Sequence, residues 1–244
     1  MPLKISHACG HAKVTPGKQS PDGKKEWEQT DPICRLVMAE LTLYEGVEQK
    51  RFDDPTGMRD IPLKERYTAI NNWGAHVHID YHLNAHGDGK TWTTGNGVEV
   101  FVAKSKPKEA LALAGKMQKN LLAATGFKDR GVKFEDWAMV KYTKMTAVLP
   151  ELGFMTHKEN TAFVRSVEGQ KKIAGAIVKA LVDQYGLKKK TTVKPVAQTP
   201  ASTKKDNVFY RVVTGSFGDR ENAERQVKVL KNAGFESFID VYEK

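Results

Sequence analysis

The sequence predicts an α/β domain in which helices cover a largely parallel sheet, followed by a small C-terminal module of α+β class and β-α-β order. In residues 1–186, short segments of strand character alternate with longer segments whose apolar residues recur at helical spacing. Residues 187–205 are rich in lysine and separate this part from residues 206–244. We therefore predict a domain over 1–186, a linker over 187–205 and a module over 206–244.

Four short segments predict the strands of the first domain. Residues 4–9 form one, and residues 77–81 alternate apolar with polar side chains, as in a strand with one buried face. Residues 98–103 and 146–149 are two further apolar segments of strand length. Because helical segments separate these strands, most of the strand pairs are expected to be parallel.

The helices are predicted from their ends and from apolar residues three and four positions apart. Proline is favoured in the first turn of a helix and glycine just after the last. The predicted starts are Asp31-Pro32, Pro62 and Pro107, and the predicted ends include Gly74 and Gly186.

The C-terminal part divides into a linker and a module. Residues 187–205 contain six lysines, two prolines and no acidic residue, so this segment cannot bury enough apolar surface to fold. In the module, residues 208–214 and 235–241 are predicted strands. Asp219 is predicted to cap the helix between them and Gly234 to end it.

Length and composition limit the class of protein. A chain of 244 residues with 40% hydrophobic content can form one sizeable core and a small appendage, and no apolar run is long enough to span a membrane. The N-terminus has no apolar signal region, so we expect synthesis in the cytoplasm without a signal peptide. Two cysteines, Cys9 and Cys34, are too few for a disulfide scaffold and are expected to be reduced.

The formal net charge of +10 predicts a surface that attracts polyanions. Nucleic acid is not the expected partner, because the chain has no helix-turn-helix signal, zinc-finger spacing or aromatic RNP motif. Anionic polymers of the bacterial cell wall satisfy the same electrostatics. Charge alone does not separate these partners.

Glu151 is the residue whose local sequence most favours a catalytic role. It follows the apolar run of residues 147–149 and precedes Leu152-Gly153-Phe154. A carboxylate in such a run is costly to bury unless it is paired or functional. Desolvation would raise its pKa towards that of a general base working near neutral pH.

Two histidines are candidate metal ligands, although a structural role remains open for each. His82 follows the strand over 77–81, and the carboxyl ends of strands are common ligand sites in α/β sheets. His11 follows the first strand, with Cys9 nearby as a chemically acceptable alternative. Four of the seven histidines fall within eleven residues, namely His76, His78, His82 and His86.

Glu26 and Glu28 compete as a third ligand, and either could instead be a solvated carboxylate in a highly charged stretch. Two imidazoles and one carboxylate are a common catalytic zinc set, which leaves a fourth position for water. A further carboxylate can accept the proton of that water. If the fold brings His11, Glu26, His82 and Glu151 together, they could form one zinc hydrolase site.

Seven motifs occur in one order along the first domain and carry a family resemblance. They are Gly10-His11 with Pro16-Gly17, Gly23-Lys24-Lys25-Glu26, Asn71-Asn72-Trp73-Gly74-Ala75, His82-Leu83-Asn84, Gly97-Val98-Glu99-Val100, Arg130-Gly131, and AVLPELGF at 147–154. With these motifs the domain resembles the zinc-dependent N-acetylmuramoyl-L-alanine amidases of the type-3 family, which cleave peptidoglycan. The resemblance implies that His11, Glu26 and His82 bind Zn²⁺ and that Glu151 is the catalytic glutamate.

The tail resembles a SPOR-type peptidoglycan-binding repeat in YRVVTGSF at 210–217 and ENAERQVKVLKNAGFESFI at 221–239. Such a module usually has two strand–helix–strand units, and this chain has one. Either a homodimer combines two half-repeats, or the single unit binds weakly. A second departure is the late helix start predicted at Pro32, which keeps Glu28 as a rival of Glu26.

The resemblance implies hydrolysis of the amide between the lactyl group of N-acetylmuramic acid and L-alanine. The expected partners are peptidoglycan and anionic wall polymers, which a phage endolysin or a mother-cell autolysin would meet after release from the cytoplasm. Two alternatives remain open from sequence. One is an inactive basic wall-binding or polyanion-binding protein with an amidase-like fold, and the other is a zinc peptidase acting on stem peptides.

Overall fold

The computed structural model describes residues 1–191, 218–232 and 237–241. The chain divides into two compact units, Met1–Thr192 and Val193–Lys244. Within the described ranges, no helix combines the length and apolar character needed to cross a membrane.

One six-stranded sheet forms the centre of the first unit. Its strands are β1 (Leu3–Cys9), β2 (Val47–Arg51), β3 (Val77–Asn84), β4 (Val98–Val102), β5 (Asp129–Phe134) and β6 (Thr146–Phe154). The strand order is β2-β1-β3-β6-β4-β5, and only the pair β4–β6 is antiparallel among these strands. The predicted α/β class with a largely parallel sheet is therefore confirmed.

Helices cover both faces of this sheet. They are α1 (Glu26–Leu41), α2 (Leu63–Trp73), α3 (Lys108–Thr125), α4 (Ala138–Lys141), α5 (Lys158–Arg165) and α6 (Val167–Tyr185). The main core joins one side of β1, β3, β4 and β6 to α1, α3 and α6. Smaller apolar clusters around Ile70 of α2, and around Val140 of α4 with Leu149 of β6, lie elsewhere.

The predicted start of α1 at Asp31-Pro32 is wrong. The helix begins at Glu26, and Pro32 lies inside it. The Glu28 carboxylate accepts a hydrogen bond from the backbone N–H of Lys25 (3.0 Å), which stabilises this earlier first turn. Proline removes one helical hydrogen bond, a cost that the buried side of the helix outweighs. The late start that kept Glu28 as a rival ligand is therefore absent.

Two strands continue further than the sequence predicts. β3 runs to Asn84 and β6 to Phe154, so His82 and Glu151 lie inside strands rather than after them.

Sequence reasoning also missed β2, β5, α4 and α5. β2 and β5 are the two edge strands of the sheet, and they alternate or mix polar with apolar residues because they are only partly buried.

The start of the predicted linker is attached to the first unit. The N–H of Glu45 donates to the carbonyl of Lys188 (2.9 Å), and the N–H of Lys190 donates to the carbonyl of Leu43 (2.7 Å). The ordered part of the first unit therefore extends past residue 186. The rest of the predicted linker, residues 192–205, lies outside the described residues.

In the second unit, α7 (Arg220–Asn232) matches the predicted helix. The Asp219 carboxylate accepts a hydrogen bond from the N–H of Glu221 (2.7 Å), as expected of a capping residue. The predicted strand over 208–214 and the predicted helix end at Gly234 lie outside the described residues. Residues 237–241, which belong to the other predicted strand, are described without strand structure.

Candidate metal centre

His11, Glu26 and His82 converge at one end of the sheet. His11 follows β1, Glu26 is the first residue of α1, and His82 lies in β3, the neighbour of β1. Each offers a donor atom, and these atoms all lie within 4.8 Å of one another. In the described part of the chain, no other three histidine, cysteine or acidic side chains come together in this way.

The backbone at His11 has a left-handed conformation, with φ of 61°. A residue other than glycine rarely adopts this conformation, which is common where function fixes a side chain. The turn brings Nε2 of His11 to 3.5 Å from Oε2 of Glu26. The His11 side chain is 24% exposed, so the cluster is open to solvent on this side.

Glu26 is buried and is held by both strand and helix. Its Oε1 accepts a hydrogen bond from the N–H of Leu83 (3.0 Å) and lies 3.0 Å from Nδ1 of His82. Burial by itself would raise the pKa of Glu26, but His82, His11 and the Leu83 N–H hold that pKa below its usual value. The position at the start of α1 also favours a negative charge.

His82 lies directly against the backbone of Gly10. A Cβ atom at position 10 would be 2.1 Å from Cε1 of His82, so only glycine leaves room for this ring. The other ring nitrogen, Nε2, is 3.2 Å from Oδ2 of Asp80. Burial opposes protonation of the ring, yet Asp80 and Glu26 raise the pKa of His82 well above its usual value. A metal ion that binds His82 would therefore have to displace a proton.

Glu151 lies beside this cluster on the next strand. It is paired in register with His82 across β3 and β6, and its side chain is buried. Its Oε2 has no hydrogen-bond partner within the described residues. Burial raises the pKa of Glu151 to about 8; nearby Glu26 and Glu99 add to this rise, and His82 opposes it. The burial that the local sequence predicts is confirmed.

A cleft of about 670 Å³ opens above these side chains. Its floor contains Gly10, His11, Asp80, His82 and Glu151. One wall is formed by the residues that lead into α2 and by its first turn, and the other by the start of α4. The wall residues are Asp60, Ile61, Pro62, Leu63, Arg66, Trp137, Ala138 and Met139, with Lys18 and Leu149. Of the four candidate site residues, His11, His82 and Glu151 thus line the cleft.

The donor set fits a divalent metal ion. Two imidazoles and one carboxylate leave at least one position free for water or substrate, as in catalytic zinc sites. Glu151 lines the same cleft, and its Oε2 has no hydrogen-bond partner within the described residues, so this carboxylate has capacity left to accept a proton. The first three side chains could therefore hold a metal ion while the fourth performs acid–base chemistry.

The alternative ligands from the sequence lie in other surroundings. Glu28 accepts a hydrogen bond from the backbone N–H of Lys25, and its Oε1 lies 3.5 Å from Nζ of Lys24. Its contacts therefore stabilise the start of α1. Cys9 is buried, with Sγ 3.5 Å from Nη2 of Arg51. Neither belongs to the convergent group.

Asp80 and Gly10 are contacts of His82 whose importance sequence reasoning missed. An acidic residue two positions before a histidine in a strand lies on the same face, which is a signal that could have identified Asp80. The close approach at Gly10 depends on the spacing of β1 and β3 and has no local signal.

The comparisons with known proteins point to one family. A profile for N-acetylmuramoyl-L-alanine amidases matches residues 8–183, and a SPOR-domain profile matches residues 176–240. The sporulation-specific N-acetylmuramoyl-L-alanine amidase of Bacillus subtilis is 25% identical, over 97% of this chain and 84% of its own. The endolysin of Bacillus phage SPP1 is 27% identical, over 75% of this chain and 66% of its own.

Solved structures give the same fold. The catalytic domain of CwlV, an N-acetylmuramoyl-L-alanine amidase from Bacillus (Paenibacillus) polymyxa, aligns with a TM-score of 0.69 at 23% identity, over 77% of this chain and all (100%) of that one. An N-acetylmuramoyl-L-alanine amidase from Clostridium difficile 630 aligns with a TM-score of 0.69 at 22% identity, over 75% of this chain and 96% of that one. With the amidase profile extending over most of its length, this chain belongs to the N-acetylmuramoyl-L-alanine amidase family of peptidoglycan hydrolases.

Proposed function

We propose that this protein cleaves the amide bond between the lactyl group of N-acetylmuramic acid and L-alanine, with Zn²⁺ held by His11, Glu26 and His82 and with Glu151 as the general base. One observation supports the assignment of the metal ligands and the general base. His11, His82 and the buried carboxylate of Glu151 line one open cleft, and Glu26 completes the metal-binding group with the two histidines.

The choice of zinc is supported by the donors. Two nitrogen ligands and one carboxylate match known catalytic zinc sites, and a fourth position stays free. When bound, Zn²⁺ would lower the pKa of a coordinated water to about 7 and polarise the carbonyl of the scissile amide.

Glu151 performs the proton transfers in this proposal. Its carboxylate takes one proton from the attacking water as the new C–O bond forms at the lactyl carbonyl carbon. It then delivers that proton to the amide nitrogen while the C–N bond breaks. The products are a lactyl carboxyl group on muramic acid and a free α-amine on L-alanine, with one water consumed.

The burial of Glu151 supports this role. A carboxylate with the usual pKa of about 4.3 is a weak base, whereas burial raises the pKa of this group to about 8. A nearby divalent cation would lower that value towards neutral pH. Glu151 would then both accept and return a proton during turnover.

The second unit would hold the enzyme on its polymeric substrate. Support comes from the SPOR-domain match, and the net charge of +10 would attract the whole chain to anionic wall polymers. We propose a lytic enzyme of the endolysin or autolysin type that acts on the wall after release. If a single half-repeat is incomplete, two chains could combine their halves in a homodimer, which light scattering of the full chain would detect as a doubled mass.

Product analysis of digested peptidoglycan tests this function. Zn²⁺-loaded protein should release peptides with free L-alanine amines and leave glycan strands that carry unsubstituted lactyl groups, as measured by mass spectrometry. Cleavage inside the stem peptide would instead identify a zinc peptidase. Intact peptidoglycan after digestion would contradict the proposal and would leave wall binding as the function.

A further inference from the structure

Asp80 is a buried carboxylate directly beside His82. The two residues are two positions apart in β3 and lie on the same face of the sheet, opposite Tyr81 and Leu83, whose side chains join the main core. Asp80 is 1% exposed. Because burial of a carboxylate is costly without a compensating partner, a carboxylate at this position requires a specific contact.

His82 is that contact. Oδ2 of Asp80 is 3.2 Å from Nε2 of His82, and Oδ1 has no hydrogen-bond partner within the described residues. Arg66 and His78 lie close enough to act on the charge of Asp80, but neither forms a hydrogen bond with it within the described residues. Arg66 donates from Nη1 to the carbonyl of Cys9 (3.0 Å), and Nδ1 of His78 is 3.0 Å from Oγ of Ser6.

The ring of His82 therefore lies between two carboxylates. Nδ1 is 3.0 Å from Oε1 of Glu26, and Nε2 is 3.2 Å from Oδ2 of Asp80. A neutral imidazole has one N–H donor and one nitrogen with a free lone pair. A metal ligand must use the lone pair, so the other nitrogen keeps its proton and needs an acceptor.

The two sides of the ring are not equivalent. Glu26 belongs to the convergent group with His11, whereas Asp80 does not. Nδ1 is thus the ring nitrogen that lies next to a member of the convergent group, and Nε2 is the one that lies next to Asp80. The backbone of Gly10, packed against the ring, leaves His82 little freedom to rotate.

We propose that Asp80 is a positioning residue that accepts the Nε2–H of His82, and thereby fixes the tautomer in which Nδ1 binds the metal ion. This inference rests on the proposed zinc site. Asp80 also places a second negative charge beside His82, which strengthens the attraction of this site for a divalent cation. Asp80 lies outside the convergent group and would act on the metal site through His82.

Zinc affinity is the first test. Competition with a chromophoric chelator gives the dissociation constant of Zn²⁺ for the full-length wild type and for Asp80→Asn and Asp80→Ala. We expect Asp80→Ala to bind Zn²⁺ about 10- to 100-fold more weakly. Asp80→Asn keeps an acceptor but loses the charge, so its Zn²⁺ affinity should lie between those of the wild type and Asp80→Ala.

Glu99→Gln is the matched control. Glu99 is another buried carboxylate of this sheet, but its Oε1 contacts Nδ2 of Asn84 (2.5 Å) and Nε of Arg130 (3.1 Å) and not His82. Removal of its charge should change the Zn²⁺ affinity by less than about threefold, in contrast to the loss expected for a carboxylate that bonds a metal ligand. A fall as large as in Asp80→Ala would mean that any buried negative charge suffices, and would overturn the proposal.

The second test reads the tautomer directly and needs no Asp80 variant. Long-range ¹H–¹⁵N NMR of the Zn²⁺-loaded wild type should show His82 with a proton on Nε2 and the metal ion on Nδ1. Metal on Nε2 would overturn the proposal, as would folded Asp80→Ala with wild-type Zn²⁺ affinity. Two other results would reject the proposed zinc site itself. One is a wild-type protein that does not bind Zn²⁺, and the other is an unchanged Zn²⁺ affinity in His82→Ala.

Discussion

Two glutamates at the start of α1 illustrate how position decides the role of identical side chains. Glu26 is buried and meets His82 and the Leu83 N–H, whereas Glu28 bonds the backbone of its own helix. The two are separated by only two positions, which on a helix places them on different sides. Their roles follow from this difference and not from local sequence.

Glu26→Gln and Glu28→Gln form a matched pair of variants. Glu26→Gln removes the charged ligand, and we expect Zn²⁺ affinity and amidase activity to fall by at least tenfold. Glu28→Gln should retain both, because glutamine at this helix position can still accept the Lys25 N–H. Zn²⁺ titration and amine release measure the two effects. Equal losses, or a larger loss in Glu28→Gln, would contradict the proposed ligand set.

Glu151 is the residue that the proposed mechanism needs for proton transfer. Glu151→Gln preserves size and burial but cannot accept a proton, so turnover should fall by about 10²- to 10⁴-fold. Zn²⁺ binding should persist, because Glu151 is outside the convergent group. Amine release and zinc content, measured on the same sample, check this prediction. A variant that keeps its turnover would exclude Glu151 as the general base.

At the scale of elements, adjacency of strands assembles the site. β3 is the shared neighbour of β1 and β6, so the residue after β1, the histidine in β3 and the glutamate in β6 lie side by side. The four buried strands were predictable from alternation and apolar runs. The edge strands β2 and β5 were not, and neither was the pairing of the strands, because pairing depends on contacts distant in sequence. The resemblance to a family, rather than periodicity, joined His11, Glu26 and His82.

The start of α1 shows a second limit of local patterns. Asp31-Pro32 is a strong signal for a helix start, yet the helix begins at Glu26. Tertiary contacts decide the boundary: Trp27 is buried and its Nε1 donates to Oδ2 of Asp53 (2.8 Å). Glu151 was predictable, in contrast, because burial within its apolar strand is a property of the local sequence.

β1 also contains a buried neutral histidine that makes stability depend on pH. Burial and the nearby charge of His78 lower the pKa of His7 to about 3, against about 6.5 in the unfolded chain. Since the unfolded state binds the proton more readily, this contribution to stability is complete above pH 6.5 and is lost as pH falls towards the folded pKa. The expected loss between pH 6.5 and 5 is about 2 kcal/mol from this residue.

The variant His7→Gln separates the contribution of His7 to the pH dependence of stability from the contributions of other titrating groups. Urea unfolding of the metal-free protein should show a smaller fall in the free energy of unfolding between pH 6.5 and 5 than in the wild type. His86→Gln is the control, because His86 is exposed. If His7→Gln and wild type have parallel pH profiles, the buried neutral state of His7 is excluded.

At the scale of the whole molecule, most of the net charge and most of the SPOR-domain match fall in different parts of the chain. Residues 192–244 contain nine basic and seven acidic residues, so most of the net charge of +10 belongs to the first unit. The SPOR-domain match lies mainly in the second part. Truncation therefore tests electrostatic attraction separately from the glycan recognition proposed for the second unit.

A chain that ends at Thr191 keeps the pairing of Lys190 with Leu43. We expect it to cleave soluble muramyl peptides at the full-length rate and to bind isolated sacculi more weakly. Its remaining binding should decrease steeply with added salt, because exposed charges are screened, while the full-length chain retains a salt-resistant component. Co-sedimentation with sacculi measures both. Equal binding by the two chains would exclude a wall-binding role for the second unit.

The central claim is that residues from distant parts of the chain form one zinc site with a separate general base. Anomalous diffraction at the zinc edge from Zn²⁺-loaded crystals tests it most directly. We predict one strong peak about 2.0–2.2 Å from a donor atom of His11, Glu26 and His82, with both oxygens of Glu151 outside coordination distance. A peak elsewhere, or one with Glu151 coordinated in place of Glu26, would contradict the claim.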